Sequence, residues 1–109
     1  MVKRSKYNSK KTVFNGVTYD SKAEANYAQI LEIQKKAVGG LRVVEIERQP
    51  KYPIEVNGKK ICTYKGDFLV TYANGSKSLI DVKGFKTREY ILKKKLVEAI
   101  YGIKITEVK

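Results

Sequence analysis

The sequence predicts an α/β domain, more strictly α+β, with a mixed sheet flanked by two helices in the order α-β-β-β-α-β. Three observations carry that expectation. Ser21-Lys22-Ala23-Glu24 has the spacing of a capping box and opens a helical stripe. Asn57-Gly58 and Asn74-Gly75 are hairpin-turn signals that divide a series of β-like runs. Thr87 stands before a second helical run that Gly102 closes.

The elements follow in chain order. Residues 1–11 form a basic arm (Lys3, Arg4, Lys6, Lys10, Lys11), expected to be flexible, and 12–109 form the domain. Val13, Phe14, Val17 and Tyr19 flank Asn15-Gly16 as a short hairpin. Ala23, Tyr27, Ile30, Leu31, Gln34 and Val38 trace the first helix, which Gly39-Gly40 ends. The run 41–56 is β-like and is bent or bulged at Gln49-Pro50, because proline cannot donate to a ladder. Strands over 61–72 and 77–83 follow. The second helix, 88–101, carries Ile91, Leu92, Leu96, Ala99 and Ile100 at helical spacing, and 103–108 alternates as a last strand. No internal repeat or linker divides the 109 residues, which suffice for one core.

Composition narrows the function. Lysine and arginine number 23 against 11 acids, for a net charge of +12 and a pI near 9.8. That excess favours a polyanionic partner, most simply nucleic acid. A mean hydropathy of −0.42 and the lack of an apolar run of ~20 residues argue against a membrane protein. The basic N-terminus has no apolar stretch of the signal-peptide kind, and the lone Cys62 has no internal disulfide partner, so a cytoplasmic setting is expected. The chain contains no histidine, so neither a Ser-His or Cys-His nucleophile nor a zinc site is indicated. No glycine-rich phosphate loop follows a strand, and no small-molecule cofactor is expected.

The chemistry concentrates in Asp81-Val82-Lys83-Gly84. On a strand, Asp81 and Lys83 project from one face. Whether Asp67 joins them depends on turn parity. A two-residue loop at Asn74-Gly75 pairs Asp67 with Val82 and separates the two acids. A three-residue loop, 73–75, pairs Asp67 with Asp81 and requires a left-handed residue at Gly75. The hydrophobic pattern selects the longer loop. Phe68, Val70, Ile80 and Val82 then share an apolar face, and Asp67, Leu69, Leu79, Asp81 and Lys83 the other. Glu24 lies on or beside the inward stripe of the first helix. A helix on the mixed face of the sheet brings it towards the two acids, although, judged alone, closing the capping box is the better explanation of its position.

Carboxylates that converge in a basic chain suit Mg²⁺, which keeps several waters and needs two or three acidic ligands. Asp67, Asp81 and Glu24 are therefore the candidate metal ligands, and Lys83 the candidate to orient water or stabilise phosphorane charge. Lys86, Arg88, Lys93 and Lys94 cluster beyond the site, and Thr87 with the helix N-terminus offers a further phosphate contact.

With Glu24, Asp67 and Asp81-Val82-Lys83 in this order, the chain resembles the PD-(D/E)xK nuclease superfamily. It resembles more closely a small family of phage-encoded, Holliday-junction-resolvase-like proteins. The segments that carry the likeness are Tyr19-Asp20-Ser21-Lys22-Ala23-Glu24, Gln49-Pro50, Tyr64-Lys65-Gly66-Asp67-Phe68 and Asp81-Val82-Lys83-Gly84, within roughly residues 12–105. The resemblance implies a restriction-endonuclease-like core and Mg²⁺-dependent cleavage of branched or duplex DNA, with Mn²⁺ able to substitute. It makes Glu24, Asp67, Asp81 and Lys83 the catalytic residues, and Gln49 is assigned with the basic cluster to DNA contact. A phage origin would place the protein in the cytoplasm of a bacterial host. Two departures stand out: Gly66 replaces the family proline, and Asp81 replaces the commoner glutamate, shortening its reach by one methylene. A homodimer is the simplest way for a one-site chain to cut both strands. The competing class is a non-catalytic, basic nucleic-acid-binding module, of the double-stranded-RNA-binding kind or an inactive nuclease fold.

Overall fold

Three Asn-Gly pairs set the hairpin geometry. Asn15 and Gly16, and Asn57 and Gly58, all take positive φ (52°, 74°, 52° and 78°), as tight two-residue turns require. Around them fold β1 (Thr12–Phe14) with β2 (Val17–Tyr19), and β4 (Lys51–Val56) with β5 (Lys59–Lys65). The third pair differs. Gly75 alone is left-handed there (φ 90°), and Tyr72 and Ser76 flank a three-residue loop, with the Tyr72 N–H donating to Ser76 O at 2.9 Å. This computed structural model describes residues 11–83 and 85–109. The expectation of a flexible arm over 1–11 falls, apart from Lys11, outside the described residues.

The fold is α+β. Helix α1 (Lys22–Gln34) precedes β3 (Val43–Arg48), the β4–β5 ribbon, β6 (Phe68–Tyr72), β7 (Lys77–Val82), α2 (Arg88–Tyr101) and β8 (Ile105–Val108). Four strands make the mixed central sheet, in the order β3-β6-β7-β8. β3, β6 and β7 run antiparallel, and the crossover through α2 returns β8 parallel to β7. Phe68 pairs with Ile80, as turn parity predicts, and one step beyond that ladder Asp67 comes beside Asp81, its N–H donating to Ile80 O at 3.1 Å.

Each face of the sheet buries its own cluster. Phe68, Val70 and Ile80 pack with Ala25, Ala28 and Leu31 of α1. Leu79 packs with Tyr90 and Val97 of α2, with Ile54 and Tyr64 of the ribbon, and with Ile105. Full burial of such side chains contributes ~1.5–3 kcal/mol each. α1 therefore lies on the apolar face, and α2 with the ribbon covers the mixed face. That corrects the expectation that α1 covers the acids. The Ala25/Ala28/Leu31 stripe needs the apolar side, and the β7-α2-β8 crossover takes the other.

Several expected boundaries also move. α1 stops at Gln34, not at Gly39-Gly40, and Ala23, Ile30 and Val38 are exposed rather than inward. Val38 is 95% exposed, so the stripe ran past the end of the surface it packs on. α2 turns Tyr90 and Val97 inward and leaves Ile91, Leu92 and Ile100 outside. The run 61–72 is two strands, because the chain breaks at Gly66-Asp67.

That break faces the one at Gln49-Pro50. The Gln49 N–H donates to Asp67 O at 2.9 Å and the Gly66 N–H to Pro50 O at 3.0 Å. Lys51 then pairs with Lys65, and Arg48 with Phe68. β3-β4 and β5-β6 are thus one long hairpin, folded sharply at its middle. Gln49 takes φ 52° there. A Cβ on Gly66 would stand 2.9 Å from Leu79 Cδ1 and 3.4 Å from the Tyr64 ring. A side chain at this position would press on Leu79 and Tyr64, so the bend favours glycine.

Candidate active site

Asp67 sits at the bend and Asp81 near the end of β7, on neighbouring strands. They are close enough that, besides burial, the charge of Asp81 raises the Asp67 pKa. The Val82 N–H donates to Asp67 Oδ2 at 2.7 Å. Burial pushes the Asp67 carboxyl up to about 7, the charges of Asp81 and Glu24 add to the rise, and the Val82 bond opposes it.

Asp81 is 1% exposed. The bend lays Tyr64 over it, and the Tyr64 hydroxyl donates to Asp81 Oδ2. Its other oxygen, Oδ1, is buried without an aligned donor, although Lys83 Nζ lies 3.2 Å away. Lys83 also stands over the Tyr90 ring, 4.6 Å from its centre. Burial, then the Asp81 bond, drives the Tyr64 hydroxyl far above the ordinary phenol range, so it stays a donor.

Glu24 occupies the first turn of α1, where its N–H donates to Ser21 Oγ at 3.1 Å. Ser21 thus caps the helix as the spacing predicts, through the Glu24 backbone. The Glu24 carboxyl pKa is raised, chiefly by partial burial, then by Asp20, and less by Asp81; Arg48 and Lys83 oppose. Glu24 thus shares the electrostatic field of the pair but stands off from it. Among the described residues, no three Asp, Glu, His or Cys side chains converge into a ready-made cation cage.

The residues assigned to DNA contact divide. Gln49 is beside the site, with Nε2 donating to Asp20 Oδ2 at 3.5 Å. Thr87 Oγ1 accepts from the Tyr90 N–H at 3.0 Å, as the α2 cap. Lys86 and Lys94 both pair with Glu107, at 3.0 and 3.1 Å, and Lys93 pairs with Glu89 at 3.1 Å. Arg88 is exposed. Glu107, opposite Asp81 in the parallel ladder, also accepts from the Tyr90 hydroxyl at 2.9 Å. Lys86, then Tyr90, hold its carboxyl down at about 2. A cleft of about 240 Å³ opens beside Lys83, walled by Lys65, Thr87, Tyr90 and Lys93 among others.

A family model described as "Protein of unknown function (DUF1064)" matches residues 4–108. The chain belongs to that family. Among curated proteins, none matches it. In this DUF1064 chain, sequence reasoning missed Tyr64, Tyr90 and Glu107 as parts of the site. Tyr64 stood in the quoted segment Tyr64-Lys65-Gly66-Asp67-Phe68, but its role depends on the bend. No helix is long and apolar enough to cross a membrane, among the described residues.

Proposed function

We propose that the protein is a metal-dependent DNA endonuclease of the PD-(D/E)xK type, acting on branched or duplex DNA in phage or mobile-element replication or recombination. One observation carries the reading. The β6–β7 register brings Asp67 beside Asp81 and Lys83 at the end of the ladder, in a chain of net charge +12.

The residues fit a divalent cation. Asp81 Oδ1 is buried with no aligned donor, and a cation would relieve the repulsion that raises Asp67. Asp67 and Asp81 Oδ1 would hold Mg²⁺ or Mn²⁺, with Glu24 reaching it through water. When bound, the ion supplies charge to the phosphate oxygens and acidity to a water. Tyr64 fixes the Asp81 carboxylate by engaging Oδ2. Lys83 presents an ammonium beside Oδ1, where it can donate to water or to a phosphate oxygen. The lone Cys62 agrees with a cytoplasmic setting.

A second reading, an inactive nuclease fold that only binds nucleic acid, is favoured by the 1% exposure of Asp81 beneath Tyr64. Incubation with supercoiled, linear and four-way-junction DNA, in Mg²⁺ or chelator, separates the two. The enzyme reading expects metal-dependent products that Asp81→Ala and Asp81→Asn both lose while DNA binding persists. Asp81→Asn keeps an acceptor for Tyr64 and so guards against a folding defect. Absence of product from all three substrates would overturn it.

A further inference from the structure

We propose that the outer face of the β4–β5 ribbon, centred on Lys51 and Lys65, holds the phosphate backbone of duplex DNA against the site. The proposal rests on the nuclease reading and moves the main DNA contact away from α2.

Lys51 and Lys65 are directly opposite each other across the antiparallel pair, and both are exposed. Like charges in that relation are destabilising. Neither lysine has an acidic partner among the described residues, nor do Lys59 and Lys60 near the tip. The ribbon carries these four lysines against one acid, Glu55. On and beside α2, Glu107 takes Lys86 and Lys94, and Glu89 takes Lys93, which leaves Arg88 and Lys95 without an ion pair among the described residues. What sets the ribbon apart is two unpaired lysines, Lys51 and Lys65, directly opposed at its end nearest the site, and a polyanion is the partner that resolves that repulsion.

Position agrees with charge. Lys65 is one residue from Tyr64, which touches Asp81, and two from Asp67; it walls the same cleft as Lys83. The ribbon's inner side is anchored. Tyr52 meets Tyr101 edge-on at 5.0 Å, and the Tyr101 hydroxyl donates to Pro53 O at 2.6 Å. A two-stranded ribbon matches the width of a major groove.

Fluorescence anisotropy with a labelled duplex, in chelator to prevent cleavage, tests this. Lys51→Gln/Lys65→Gln should lower affinity about tenfold at low salt and reduce the log–log salt slope by about 2. Lys86→Gln/Lys94→Gln should change affinity less than about threefold, because those charges are internally paired. Lys65→Glu turns the pair into opposite charges and should raise Tm while weakening binding; that combination excludes a folding defect as the cause. Ribbon variants that bind like the wild type, or an α2 variant that loses as much, would overturn the proposal alone. A wild type that binds no duplex would overturn the nuclease reading with it.

Discussion

Asp67 is an acid held where its charge is unwelcome. Its carboxyl rises from 3.8 to about 7 through burial and the neighbouring charges of Asp81 and Glu24. A folded-state pKa above the unfolded one gives stability that is full below about pH 4 and is lost as pH rises through 7. Asp67→Asn keeps an acceptor for the Val82 N–H and removes the charge. In chelator at pH 8 it should be more stable than wild type, by roughly 1–2 kcal/mol after allowance for partial exposure. At pH 4 the two should converge, and Mg²⁺ should stabilise only the wild type. Thermal melts at both pH values check this; a destabilised variant at pH 8 would mean that the carboxylate is satisfied without a cation.

The hairpin β6–β7 decides whether a site exists at all. Its three-residue loop keeps Phe68 opposite Ile80 and so brings Asp67 beside Asp81, and deleting Asn74 leaves a two-residue connection that slips every side chain of one strand to the other face. The expected outcome is loss of cooperative thermal unfolding, read by circular dichroism. A well-folded deletion variant that retains Mg²⁺ stabilisation would refute the parity argument. This part of the fold was legible in the sequence because strand alternation is local, and Phe68, Val70, Ile80 and Val82 announce one face. The Gln49-Pro50 break was legible for the same kind of reason. The break at Gly66 was not, because its cause is the approach of Leu79 and Tyr64 from elsewhere in the fold. Nor was the inward face of α2. Ile91, Leu92 and Ile100 form the more apolar stripe, but the half-buried partners on offer were Lys83 and Glu107, which a tyrosine can meet and an isoleucine cannot. The buried contact of Tyr64 with Asp81 was hidden likewise, since only the bend lays the ribbon over β7.

Across the whole molecule, charge is arranged as well as abundant. Glu107 restrains Lys86 and Lys94 on one side of the site. Its carboxyl, held at about 2, stabilises the fold above about pH 4.5 and loses that contribution as pH falls towards 2. Glu107→Gln should therefore lower Tm most above about pH 4.5 and converge with the wild type as pH falls towards 2. It should also tighten DNA binding several-fold with a steeper salt dependence, because two lysines are released. Titrations at two salt concentrations check the second outcome, and unchanged affinity would show that those lysines do not face DNA. The folded hairpin gives this charge map a mechanical meaning. Its tip carries Lys59 and Lys60, its fulcrum is the backbone contact of Gln49 with Asp67, and its short arm reaches the sheet. The residue proposed as a metal ligand is therefore also the pivot of the ribbon, joined through its own backbone carbonyl to the strand that carries the tip.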